Sequence, residues 1–177
     1  MHKTVQTVEF RPIYREEFQT ALNLAWRTFL QFEAADYEEE GIRSFYRFIN
    51  DPILPRAFKL GEYRVWGAFV CNRMVGMISA RSKNYISLLF VYREYHHRGI
   101  GRGLVRQVFR YCHSEWGVTE VSVHASPYAV GFYHKIGFMD TDVELKQDGI
   151  RYTPMLCHIP AYLLEQDEES VNKKGSR

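Results

Sequence analysis

The residues best suited to chemistry lie together in a basic, glycine-rich stretch near the middle of the chain. They are His96, His97, Arg98, Gly99, Gly101, Arg102 and Gly103. Glycine lets a ligand approach the backbone closely, and free N–H groups at a helix start attract negative charge. An apolar run (ISLLFV, residues 86–91) precedes the stretch, and an amphipathic run (LVRQVFRYC, residues 104–112) follows it. This order predicts a strand, a phosphate-binding turn and a helix.

Three kinds of phosphate-binding glycine loop can be compared with this stretch. The P-loop pattern G-x-x-x-x-G-K-[ST] does not occur in the sequence. The dinucleotide pattern G-x-G-x-x-G matches at Gly99 and Gly101 but has Leu104 at its third position, and residues 92–98 lie between the strand and the glycines. A dinucleotide-dependent enzyme is therefore the weaker interpretation.

The third kind of loop is supported by a second motif downstream. The string V-Y-R-E-Y-H-H-R-G-I-G-R-G-L (residues 91–104) resembles the [Q/R]-x-x-G-x-[G/A] signature of the GCN5-related N-acetyltransferases, with His96 where Gln or Arg is usual. SPYAVGFYHKIGF (residues 126–138) resembles the N-x-x-A-x-x-F-Y-x-x-x-G-F motif of the same family, with Ser126 in place of Asn. The chain is identified from these two motifs as a member of that family.

The resemblance implies direct transfer of an acetyl group from the co-substrate acetyl-CoA to an amine. It places the pantetheine arm along the strand that contains Leu89, Phe90 and Val91, and it places Ser126 beside that arm. It places the pyrophosphate on the turn formed by His96, His97, Arg98, Gly99, Ile100, Gly101 and Arg102. It makes Tyr133 the acid that protonates the leaving thiolate, because a phenol and a thiol have similar ordinary pKa values.

The general base and the acceptor stay open. Candidate bases are Tyr85, His124, an acid within residues 33–40, and a water chain. The aromatic and acidic residues near the first helix connection would suit a cationic amine, but a small amine, an antibiotic, an amino acid and a protein N-terminus all remain possible acceptors. A non-catalytic module that binds acyl-CoA is the alternative function.

The remaining pattern predicts a mixed α/β fold. Apolar residues recur at three and four positions between Phe18 and Leu30, which predicts a helix. The expected order is β-α-α-β-β-β-α-β-α-β-β, in one central, mostly antiparallel sheet of about seven strands with about four helices. Pro55 is expected to keep its segment irregular. We expect a single acetyltransferase domain at residues 1–160 and a polar, frayed tail at residues 161–177.

Bulk composition excludes several classes of partner. A net charge of +2 over 177 residues does not favour nucleic acid or a membrane surface. Cys71, Cys112 and Cys157 each lie in an apolar run without metal-ligand spacing, so we expect buried free thiols and no metal. No apolar run is long enough to span a membrane, and we expect a soluble cytoplasmic protein. The family resemblance allows a homodimer, although no apolar stripe demands one.

Overall fold

The computed structural model describes residues 7–164 of the chain. Its α-helices are α1 (Phe18–Phe32), α2 (Glu39–Ile49), α3 (Ile53–Leu60), α4 (Ile100–Trp116) and α5 (Val130–Lys135). Its strands are β1 (Glu9–Pro12), β2 (Tyr63–Val70), β3 (Arg73–Arg81), β4 (Tyr85–Val91), β5 (Glu120–Ala125), β6 (Met139–Asp140), β7 (Leu145–Gln147) and β8 (Ile150–His158).

The strands form one mixed sheet in the order β1-β2-β3-β4-β5-β8-β6, and β7 pairs with β8 as a hairpin. Every pair is antiparallel except β4 and β5, which run parallel and are connected through α4. A parallel pair needs such a crossover, because the chain has to return to the same end of the sheet. The predicted mixed α/β fold with a mostly antiparallel sheet is confirmed.

The sheet separates two hydrophobic cores. On one face, α4 buries Leu104, Val105 and Val108 against Val75 and Ile78 of β3. The opposite face is covered by α1, α2 and α3. Its core contains Phe18, Ala21, Leu22, Leu24, Ala25 and Phe29 of α1 together with Met77, Leu88 and Phe90 of the sheet. The spacing of apolar residues along α1 is what places them all on the buried side.

A bulge at Ser87 changes the direction of β4. Ala80 of β3 pairs with Ile86, and Ser79 pairs with Leu88, so Ser87 is the extra residue. The bulge turns Ile86 into the core beneath α4 and Leu88 into the core beneath α1, although residues two apart in a regular strand share a face. The second half of β4 is thereby aimed differently from the first half.

Three local expectations are corrected. Residues 53–60 form α3, and Pro55 lies in its first turn, where a missing N–H leaves no hydrogen bond unmade. Cys71 is exposed at the β2–β3 turn rather than buried, whereas Cys112 and Cys157 are buried; all three are free thiols. The last strand but one of the predicted order, which corresponds to residues 138–147, is divided into β6 and β7.

The end of the described chain closes against the sheet. Residues 161–164 form a helical turn, and Leu163 is buried in the core beneath α4. The rest of the predicted tail, residues 165–177, lies outside the described residues. Within residues 7–164, no helix has the length and apolar content needed to cross a membrane.

Candidate active site

Strands β4 and β5 separate partway along their length. They pair only at Tyr85 with Ser122 and at Ile86 with Val123. The N–H of Tyr92 donates to the carbonyl of Val75 at 2.9 Å, on the β3 side. Because alternate residues of an antiparallel strand face opposite neighbours, Leu89 and Val91 direct their backbone groups away from β3, towards β5. No strand pairs with those groups there, so the gap between β4 and β5 can accept an extended ligand.

The start of α4 lies beyond the carboxyl end of β4. Gly99 caps the helix with a φ of +76°, a conformation that glycine adopts without strain, and His97 has a φ of +57°. The first backbone N–H groups of a helix have no partner within it, and α4 adds the positive end of a long helix dipole. His97, Arg98 and Arg102 are exposed around this end. The turn fits a polyanion such as a pyrophosphate.

Two residues of the predicted turn direct their side chains away from a ligand. The side chain of Ile100 is only 2 % exposed and belongs to the core, so only its backbone can meet a ligand. His96 turns back to β4, where its Nε2 lies 2.7 Å from the Val91 carbonyl oxygen. A carbonyl only accepts, so Nε2 is the donor, and a neutral His96 has no second N–H for a phosphate.

A cleft of about 360 Å³ continues from the gap between β4 and β5. Its floor contains Leu88, Leu89 and Phe90 of β4. Its walls are formed by Phe29, Glu33, Tyr37, Phe45, Phe48, Arg81, Tyr85, His124, Ser126, Tyr133, Ile150, Arg151 and Tyr152, among others. The cleft thus brings together residues from the end of α1, from α2, from both strand ends, from α5 and from the β7–β8 hairpin.

Glu33 is the more buried of the two acids in this cleft, since the other, Asp148, is exposed. It lies directly after α1 and keeps a little exposed surface, yet burial of its carboxyl raises its pKa to about 7. The negative charge of Asp36 also raises this pKa, whereas the Ser126 hydroxyl lowers it. No Glu33 ion pair occurs among residues 7–164. At neutral pH, Glu33 can therefore both accept and release a proton.

Ser126 and Tyr133 lie near Glu33, since the Ser126 hydroxyl lowers the pKa of Glu33 and the charge of Glu33 acts on Tyr133. The Ser126 Oγ is buried and makes no hydrogen bond of ordinary geometry to the described residues. A buried hydroxyl without a partner is costly unless a ligand satisfies it, so Ser126 is suited to bind one. Tyr133 is 3 % exposed, and burial, followed by the charge of Glu33, raises its pKa well above the ordinary value. The phenol therefore stays protonated at physiological pH.

Tyr85 and His124 also line the cleft. Burial raises the pKa of Tyr85, so that even less of it is ionised at neutral pH than of a free tyrosine. Burial, and then the charge of Arg81, lowers the pKa of His124. The His124 ring stacks on Tyr152 at 4.2 Å between centroids and meets the edge of Tyr85 at 5.3 Å. These contacts are typical of a wall that packs against a ligand.

A second, larger depression of about 720 Å³ lies on the outer face of α1 and α2. Trp26, Ile42 and Tyr46 line it, together with the exposed Arg43–Glu39 ion pair. It is remote from both motifs and contains no buried polar group that lacks a partner. We therefore assign the chemistry to the smaller cleft.

Two charged residues of the cleft were not singled out in the sequence. Glu33 was only one of several acids within residues 33–40, and Arg81 was not predicted at all. Among the aromatic residues near the first helix connection, Tyr37 and Phe45 line the cleft, whereas Tyr46 faces outward and Phe32 packs on His96. No signal in the sequence marks Arg81, because it ends a strand like many surface arginines.

Comparison with known proteins agrees with this geometry. The family model described as an acetyltransferase (GNAT) domain matches residues 33–159. The uncharacterized N-acetyltransferase YafP of Escherichia coli (strain K12) is 38% identical over 80 residues, which cover 45% of this chain and 49% of YafP. The matched region thus spans about half the length of that relative.

Solved structures share the fold. A GCN5-related N-acetyltransferase from Rhodopseudomonas palustris has a TM-score of 0.74 at 22% identity, covering 89% of this chain and 99% of that one. The PaiA N-acetyltransferase from Thermoplasma acidophilum, in complex with coenzyme A, has a TM-score of 0.68 at 22% identity, covering 86% and 99%.

Proposed function

The chain belongs to the GNAT family of acetyltransferases, and from this premise we propose that it transfers an acetyl group from acetyl-CoA directly to an amine. The observation that carries the proposal is the gap between β4 and β5, which leads from the start of α4 into a cleft containing Glu33 and Tyr133. An amine acetyltransferase needs an anion site, an extended channel, a base and an acid, and this arrangement supports all four.

The residues around the gap suit the parts of acetyl-CoA. The backbone N–H groups of residues 99–102 and the side chains of His97, Arg98 and Arg102 would hold the pyrophosphate. The backbone of Leu89 and the N–H of Val91 would pair with the amides of the pantetheine arm, and the Ser126 hydroxyl would gain the partner that it lacks. The Leu89 N–H is directed towards the gap and would stabilise an oxyanion.

The reaction class follows from the thioester that acetyl-CoA supplies. The amine nitrogen forms a bond to the acetyl carbon, the C–S bond breaks, and an amide and a free thiol result. Glu33 takes the proton that the amine loses, since its pKa of about 7 leaves much of it ionised at neutral pH. Among the candidate bases, it suits the role better than Tyr85, whose pKa is raised, or His124, whose ring is stacked.

Tyr133 supplies a hydrogen bond and a proton to the leaving sulfur. Its raised pKa ensures that the proton is present, but this pKa is also well above that of a thiol. The pKa values of the phenol and the thiol are therefore not similar, in contrast to the expectation from their ordinary values. Tyr133 acts mainly by stabilising the developing thiolate through an O–H donor in a dry site.

Two measurements test the function. Thermal unfolding with acetyl-CoA, coenzyme A and NAD should show stabilisation by the first two only. Release of free thiol from acetyl-CoA in the presence of an amine library should then identify acceptors. Stabilisation by NAD alone contradicts the proposal, and binding of acetyl-CoA without transfer to any amine supports the alternative of a non-catalytic module.

A further inference from the structure

Resting on this proposed function, we infer that the acceptor is a small amine that also carries an anionic group, a carboxylate or a phosphate, at the far end of a short chain. Its amine would lie at Glu33, next to the transferred acetyl group, and its anion would lie at Arg81. The inference rests on how the cleft is closed, where its unpaired charges are and how far apart they lie.

The cleft is closed on the acceptor side by an arch formed by α2 and the β7–β8 hairpin. The backbones of Gly41 and Gly149 touch, and a Cβ at either position would overlap the other residue. Ser44 donates a hydrogen bond to the Asp148 carbonyl at 2.8 Å. A small acceptor fits beneath this arch, whereas a chain crossing the cleft on both sides would have to break it.

Further contacts on both sides hold the arch in place. Tyr37 donates to the Arg151 carbonyl at 3.2 Å, and Lys146 pairs with Glu38 at 3.1 Å. The cavity of about 360 Å³ is near the lower end of the range for small-molecule sites. Size and closure together point to an acceptor of a few bonds rather than to a folded protein surface.

The cleft lining contains an acid, Glu33, and an arginine, Arg81, that do not form an ion pair, and a second acid, Asp148, that is exposed. Glu33 has no cationic partner, and Arg81 has no carboxylate partner, among residues 7–164. Arg81 is exposed and lies over the Tyr85 ring at 4.8 Å. The other cation of the lining, Arg151, is engaged by Glu144 at 2.8 Å, and Asp148 lies at the tip of the hairpin. Arg81 is therefore the guanidinium that is available to an anion.

The distance between Glu33 and Arg81 gives the length of the acceptor. Glu33 interacts with Tyr133 and with Ser126, which directly follows β5, whereas Arg81 pairs with Tyr85 at the start of β4. Continued past Ile86 and Val123, the β4–β5 register puts Ser126 level with Leu89. Because Ser87 is a bulge, Leu89 lies only three residues of β3 from Arg81, or roughly 10 Å, and the reach of the Arg81 side chain shortens this separation. A chain of about five or six bonds between nitrogen and anion fits, and the aromatic walls can pack against it.

Amines of similar length with different ends test the inference. The probes are 6-aminohexanoate, 5-aminopentyl phosphate, hexylamine and 1,6-diaminohexane, each assayed by thiol release for kcat and KM. The variants are Arg81→Gln, Arg81→Glu and, as a matched control, Arg56→Gln, which removes an exposed arginine on α3 outside the cleft. Thermal unfolding of each variant with acetyl-CoA reports whether it is folded.

The wild-type chain should favour the anionic amines over hexylamine by about tenfold or more in kcat/KM, since a hydrogen bond to a charged group contributes that much. Arg81→Gln should remove the preference, Arg81→Glu should turn it towards 1,6-diaminohexane, and Arg56→Gln should leave it unchanged. The anionic probe with the higher kcat/KM then shows whether the anion of the acceptor is a carboxylate or a phosphate.

Equal kcat/KM for charged and uncharged amines, or an unchanged order in Arg81→Glu, overturns the inference. So does the absence of turnover with all four probes. In every such case, stabilisation by acetyl-CoA together with transfer to some other amine leaves the proposed acetyltransferase function standing, whereas loss of both removes it as well.

Discussion

The His96 imidazole donates a hydrogen bond from Nε2 to the Val91 carbonyl oxygen at 2.7 Å, joining the phosphate-binding turn to the end of β4. Phe32, the last residue of α1, packs on the same ring at 5.0 Å between centroids. His96 therefore fixes the turn between a strand and a helix. This positioning role differs from that of a direct phosphate ligand.

We expect His96→Ala to weaken coenzyme A binding by about three- to tenfold, because one hydrogen bond contributes about 0.5–1.5 kcal/mol. His96→Gln keeps an N–H donor and should stay near the wild type. Isothermal titration calorimetry with coenzyme A measures both. Equal weakening in the two variants would mean that the ring packing, rather than the hydrogen bond, is what matters.

Replacing Glu33 by Gln should remove the base. Since Glu33 acts when ionised, wild-type kcat/KM should rise with pH through about 7, the pKa to which burial raises this carboxyl. The variant should lose this rise of kcat/KM with pH. Its kcat should also fall by about 10²–10⁴-fold, the usual contribution of a general base. Asp36→Asn is the matched control, because it alters the neighbouring charge and leaves Glu33 in place. A limb near pH 7 that persists in Glu33→Gln rules out this base.

The same carboxyl should make the fold less stable at higher pH. The folded pKa of Glu33 is raised from 4.5 to about 7, so the folded protein keeps a proton that the unfolded chain releases. The free energy of unfolding therefore falls between these two pH values. At pH 8, Glu33→Gln should be more stable than the wild type by on the order of 1–3 kcal/mol, with little difference at pH 4. Urea unfolding at both pH values checks the sign.

Tyr133→Phe should lower kcat by about ten- to a hundredfold and change the KM for acetyl-CoA little, because it removes an O–H donor that acts on the leaving sulfur. The packing of the ring against Phe138, at 5.0 Å, is kept. Tyr111→Phe, on α4 and outside the cleft, serves as the control in steady-state kinetics. Unchanged turnover with the best acceptor would show that another group protonates the sulfur.

Two glycine substitutions separate backbone strain from crowding. Gly117 and Gly149 both have a positive φ, at +65° and +75°, but only Gly149 faces another backbone, that of Gly41. Gly117→Ala should cost about 1–2 kcal/mol of stability through its φ alone. Gly149→Ala should cost more and should raise the KM for the acceptor, because it pushes the hairpin away from α2. Equal costs, with an unchanged acceptor KM, would mean that the arch does not shape the cleft.

Much of the fold could be predicted because it depends on local patterns. The spacing of apolar residues in α1, the glycines at the start of α4 and the motif at residues 126–138 each follow from neighbours in the chain. Where a local rule failed, a local reason exists: Pro55 is compatible with the first turn of a helix, and Cys71 lies at a turn, at the end of an apolar run and before Asn72.

The sequence by itself determined the family, the mixed fold and the turn that suits a pyrophosphate, because residues adjacent in the chain carry those features. Only the tertiary structure decided which acid and which cation face the cleft. The pKa of Glu33 depends on burial and on Ser126, and the charge of Glu33 acts in turn on Tyr133, although both partners lie far along the chain. The closure of the cleft depends on Gly41 meeting Gly149. The burial and the charge interactions of these residues depend on such distant neighbours. No spacing of residues along one strand or helix predicts them.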